Sequence, residues 1–153
     1  MQRDDDSAEV WEPAVLTPLW LSHHYPEDYD HCVQLGDRYV CRRCVVLYPL
    51  AAVALTISLA AGGVGSASSA LALAVGGLPA LVEMVGEQLG WWAYSPRRQA
   101  AVSVPLGVGV GIGLARYLEA PGDIAFWVVV LTYAAIGALA ILARSRRRAD
   151  GAV

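Results

Sequence analysis

The stretch VVLYPLAAVALTISLAAGGVGSASSALALAVGGLPALV, residues 45–82, runs 38 residues without a single charge. An α-helix rises 1.5 Å per residue, so about 20 apolar residues cross the roughly 30 Å of bilayer hydrocarbon. The stretch is too long for one crossing and long enough for two. Its Gly62-Gly63-Val64-Gly65-Ser66-Ala67-Ser68-Ser69 cluster supplies a turn between them. Further along, residues 99–115 add 17 uncharged positions and residues 124–143 another 20. The pattern predicts four spans, at about 45–62, 69–90, 99–118 and 124–143.

Composition agrees. Hydrophobic residues make up 56% of the chain and charged residues 16%, against roughly 25% charged in an ordinary globular domain. A soluble fold would need a charged outer face on these segments, and they carry none. A soluble enzyme, a disordered tail protein and a nucleic-acid binder are excluded. The expected fold class is all-α: a four-span transmembrane helical bundle with a short N-terminal cytoplasmic His/Cys metal-binding module. The chain then divides into an acidic tail (1–21), the module (22–44), the spans (45–143) and a basic tail (144–153). Gly107, Gly109, Gly111 and Gly113 form two interleaved Gly-x-x-x-Gly pairs on neighbouring faces of the third span. These predict close backbone packing inside the bundle rather than dimerisation.

Orientation follows from arginine, since the chain has no lysine. With four spans, Arg3, Arg38, Arg42, Arg43, Arg97, Arg98, Arg144, Arg146, Arg147 and Arg148 share one side, and Arg116 stands alone on the other. By the positive-inside rule both termini are expected in the cytoplasm, with the chain in the cell membrane. Trp91, Trp92 and Tyr94 fit an interfacial aromatic belt, and Trp127 marks the outer face. The Arg144–Arg148 cluster reads as an anchor at anionic headgroups. No cleaved signal peptide is expected, because the first apolar span follows a long acidic segment.

All three histidines and all three cysteines lie within residues 22–44. Thiolate and imidazole donors at such spacings suit zinc, which takes four tetrahedral ligands. Cys41 and Cys44 form a Cys-x-x-Cys knuckle whose tight turn would aim both sulfurs at one ion. Cys32 and either His23 or His24 would complete the shell. Arg42 and Arg43 favour the thiolate forms. The competing readings are a redox-active Cys41–Cys44 dithiol without metal and, for His31, a merely solvated side chain.

Glu83 and Glu87 stand four residues apart, on one face of the second span. A carboxylate at that depth needs a partner or a wet cavity. The structural reading is an ion-pair clasp in which Arg97 or Arg98 satisfies Glu83 or Glu87. The functional reading is a catalytic zinc site with Glu83 as general base and Arg97 steadying an oxyanion.

The run Ser22-His23-His24-Tyr25-Pro26-Glu27, then Cys32 and Val40-Cys41-Arg42-Arg43-Cys44 leading into Tyr48, resembles the signature of an uncharacterised family of small prokaryotic membrane proteins. Those chains carry a His–Cys–Cys-x-x-Cys module before the first of several spans. Pro79, Glu83 and Ser95-Pro96-Arg97 are similar to the family's second-span pattern, and the resemblance covers roughly residues 22–115. Val45-Val46 after the knuckle, where a small residue is expected, and Arg42, where alanine is usual, depart from it. The resemblance implies membrane placement, the His/Cys module and a minimal membrane metallohydrolase acting on lipid-like esters.

Three functions follow as expectations. The first is a zinc-dependent ester hydrolase whose lipid-like substrate enters from the inner leaflet, placed first by the intramembrane Glu83. The second is a non-catalytic membrane protein whose structural zinc knob docks a cytoplasmic partner. The third, an ion transporter, requires a homo-oligomer.

Overall fold

The computed structural model describes Thr17, Pro18, Tyr29 and residues 31–150, with side chains as far as Arg147. The chain divides into two units, one ending at Cys41 and the other beginning at Arg42.

In the first unit, β1 (Cys32–Leu35) and β2 (Arg38–Cys41) form an antiparallel hairpin. Their two-residue connection, Gly36-Asp37, needs a positive φ, and Gly36 supplies it at 60°. Thr17 and Tyr29 are fastened to the hairpin. The Tyr39 backbone N–H donates to Thr17 Oγ1 at 2.8 Å, and the Tyr29 ring stacks on Tyr39 with centroids 4.2 Å apart. The hairpin adds a two-stranded element to a chain that is otherwise helical, as expected. Alternating Cys-Val-Gln-Leu and Arg-Tyr-Val-Cys segments around a Gly-Asp turn favour strands over helix. The supposed tight knuckle is also different in kind: Cys41 closes β2, and the helix begins one residue later.

The second unit is helical: α1 (Arg42–Ala60), α2 (Ser66–Gln88), α3 (Pro96–Glu119) and α4 (Ile124–Asp150). All four are long and apolar enough to cross a membrane. The first starts three residues earlier than expected, so Arg42, Arg43 and Cys44 form its opening turn. The α1–α2 turn takes only residues 61–65. Gly63 is indispensable there. Its φ is +87°, its N–H donates to Ser58 O at 2.9 Å, and the Glu119 carboxylate packs directly on its Cα.

The helices pack as a row, α1–α3–α2–α4, rather than around one shared core. The glycines of α3 explain the row. Gly107 and Gly111 lie against α1, at Leu47, Leu50, Ala51 and Ala54. Gly109 lies against Ala72 and Gly76 of α2, its Cα within the same close approach, and Gly113 against Leu73. Each Gly-x-x-x-Gly pair therefore docks one neighbour, as small residues do where backbones must approach in lipid. α4 rests mainly on α2, where Tyr133 lays its ring on Gly77 and donates to Ala74 O. Outward faces are apolar: Val53, Ile57, Leu71 and Leu139 are all exposed, as lipid-facing residues should be.

Candidate functional site

In the hairpin, the register places Cys32 directly opposite Cys41. Counted from the two-residue turn, hydrogen-bonded pairs alternate with open ones, and the cysteines fall at an open pair. At such positions Cα atoms stand about 4.5 Å apart with side chains on one face. Both thiols are buried, and neither is in a disulfide. Cys44 is half-buried and lies in the first turn of α1. Among the described residues, no three His, Cys, Asp or Glu side chains come together closely enough to hold a metal. His23 and His24 lie outside the described residues. His31 is half-buried.

Glu83 occupies the α2 face that runs through Leu73, Gly76 and Ala80 onto α3, and it is buried to 2% exposure. That face brings it level with the first turns of α1 and α3. Arg43 Nη2 donates to Glu83 Oε2 at 2.7 Å. Arg98 Nε stands 3.6 Å from Oε1, close enough for charge attraction and too far for a hydrogen bond. One carboxylate thus ties three helices. Arg98 Nη2 donates to Ala93 O at 2.7 Å, and its guanidinium lies 5.3 Å from the centre of the Trp92 ring. The indole packs directly on Gly86, one turn beyond Glu83. Glu83 Oε1, Arg98 Nε and Trp92 Nε1 are buried and have no hydrogen-bond partner among the described residues.

The other sequence candidates fall outside this cluster. Arg97 is exposed on α3 and makes no ion pair among the described residues, so Arg98, not Arg97, is the α3 residue facing the carboxylate. Glu87 is half-buried and makes none either. Arg43 was assigned by sequence to the cysteine module, and its part in the clasp follows only from the early start of α1.

The opposite end of the helices holds a second carboxylate. Asp123 Oδ1 accepts from Ser66 Oγ at 3.0 Å and from the Phe126 N–H at 3.1 Å, and Oδ2 accepts from Arg116 Nε at 2.7 Å. Asp123 is the N-cap of α4, joined to the start of α2 and the end of α3. The Ser66 hydrogen bond, then those of Arg116 and Phe126, hold its carboxyl down from 3.8 to about 2. Arg116 is thereby neutralised. Tyr117, Phe126 and Trp127 cluster beside it, and Trp127 Nε1 donates to Pro121 O at 2.7 Å.

Four helices of this length and hydropathy fit a multi-pass membrane protein. No family model, curated protein or solved structure matches the chain.

Proposed function

We propose that this is a cell-membrane protein with both termini in the cytoplasm, whose N-terminal cysteine module binds zinc as a non-catalytic folding device and docks a cytoplasmic partner. The observation that carries this reading is the Cys32–Cys41 register, which directs two buried thiols to one face of the hairpin. Cys44, three residues on in the chain, and His23 or His24 are the further donors the metal would need. Glu83 supports the non-catalytic form. Its carboxylate is buried and tied to Arg43 of α1 and faced by Arg98 of α3, the arrangement of a strut between helices. The orientation rests on the ten-to-one arginine distribution.

Elemental analysis of gently solubilised, reduced protein tests this reading. About one zinc per chain is expected, lost on Cys41→Ser, with chelation lowering Tm. Metal-free wild type, or a Cys41→Ser variant of unchanged Tm, overturns it. One observation favours the hydrolase instead: Glu83 Oε1 retains an unused acceptor position. Turnover of a short acyl ester by wild type, abolished in Glu83→Gln with zinc retained, would establish that alternative.

A further inference from the structure

The cluster around Glu83 carries more positive charge than it neutralises. Arg43 and Arg98 both address one carboxylate, which leaves a surplus of one charge within the cluster. One N–H donor beside it, Trp92 Nε1, is buried without a hydrogen-bond partner among the described residues, and Arg98 Nε has only the Glu83 carboxylate 3.6 Å away. A buried donor without a partner loses about 1–3 kcal/mol, so the site favours a molecule that accepts hydrogen bonds and bears negative charge. A metal cation or an ammonium group meets neither requirement.

Position identifies the source. Arg43 and Arg98 lie in the opening turns of α1 and α3, which run parallel and are direct neighbours in the row. Their aligned N-termini add positive potential at the ends of the spans. Trp91, 65% exposed, sits in the adjoining α2–α3 connection, at the level where interfacial aromatics meet lipid headgroups. Lipid phosphates are concentrated at that level, whereas soluble anions must be drawn from the bulk.

We infer that this end of the helical unit binds one anionic phospholipid, a phosphate oxygen accepting from Trp92 Nε1 and its charge balancing the surplus of the Arg43–Glu83–Arg98 cluster. The site lies wholly within the helical unit and is independent of the zinc reading. Arg146, exposed near the end of α4, serves as the control for unspecific attraction.

The test uses the full chain in phosphatidylcholine nanodiscs with and without phosphatidylglycerol, read by Tm and by native mass spectrometry of retained lipid. Wild type should hold one phosphatidylglycerol and gain several degrees of Tm. Trp92→Phe removes the donor together with the outer ring atoms that lie on Gly86, so retention should fall at least about tenfold, the equivalent of one lost hydrogen bond of about 1.4 kcal/mol. Arg98→Gln should weaken it further, and Arg146→Gln should leave it unchanged. Equal stabilisation by phosphatidylcholine, full retention in Trp92→Phe, or loss in Arg146→Gln equal to that in Trp92→Phe overturns the inference. Inorganic phosphate matching the lipid at equal concentration would overturn the lipid assignment.

Discussion

Glu83 and Asp123 are both buried carboxylates paired with arginine, at opposite ends of the same helices, yet they are finished differently. Asp123 receives three hydrogen bonds, from a hydroxyl, a guanidinium and a backbone N–H, and each of its oxygens has a partner. Glu83 receives one, at Oε2, while its second oxygen faces an arginine 3.6 Å away. The first is a closed lock made from one charge of each sign. The second has two cations for one anion and an idle donor, Trp92 Nε1, nearby. Saturation marks a structural tie, and incomplete saturation with surplus charge marks a place for something from outside the chain.

The largest effect should come from Glu83→Ala, which leaves two guanidiniums facing each other at the end of the spans. Removing one partner of a buried pair costs about 3 kcal/mol, and Tm in neutral nanodiscs should fall accordingly. Glu83→Gln, with its shape retained, should fall less. A Glu83→Ala protein of wild-type Tm would show that the clasp contributes nothing. Asp123→Ala comes next, because it removes the α4 cap and two cross-helix bonds together. Asp123→Asn keeps a competent cap and should recover much of the loss. If the two variants melt alike, capping is not what Asp123 provides.

A smaller effect is expected from pH, and it should separate the two ends. With its folded value lowered to about 2 from 3.8, Asp123 contributes stability in full above about pH 4, and that contribution is lost as pH falls toward 2. Unfolding of wild type should therefore become easier across that window relative to Asp123→Asn. Parallel pH profiles would remove Asp123 as a source of acid sensitivity. The smallest change should follow Arg97→Gln, with an unfolding free energy within about 0.5 kcal/mol of wild type. A large loss would return Arg97 to the clasp.

Much of the helical unit was legible in the chain. Uncharged runs of fixed length counted the spans, and the glycines at 107, 109, 111 and 113 indicated two packed faces. What they did not reveal was that the faces serve different helices, because spacing gives an angle around α3 and not the identity of its neighbour. Arg98 was among the expected partners of Glu83, since both approach the same end. Arg43 was missed because hydropathy falls at the first charge, whereas helix geometry continues through Arg42, Arg43 and Cys44. The Asp123 cap had a signal in Pro121-Gly122-Asp123 preceding an apolar run. The hairpin had one in Gly36-Asp37, but the spacing of the cysteines drew the reading toward coordination chemistry before backbone pattern.

The order of the row has a consequence for biogenesis. α1 and α2 are consecutive in the chain and share no extended interface, because α3 lies between them. The first two helices of the chain are therefore held together mainly through the third, which follows them in sequence. α3 is then the keystone, its glycines admitting a partner on each side, and α4 adds to the outer flank of an arrangement already made.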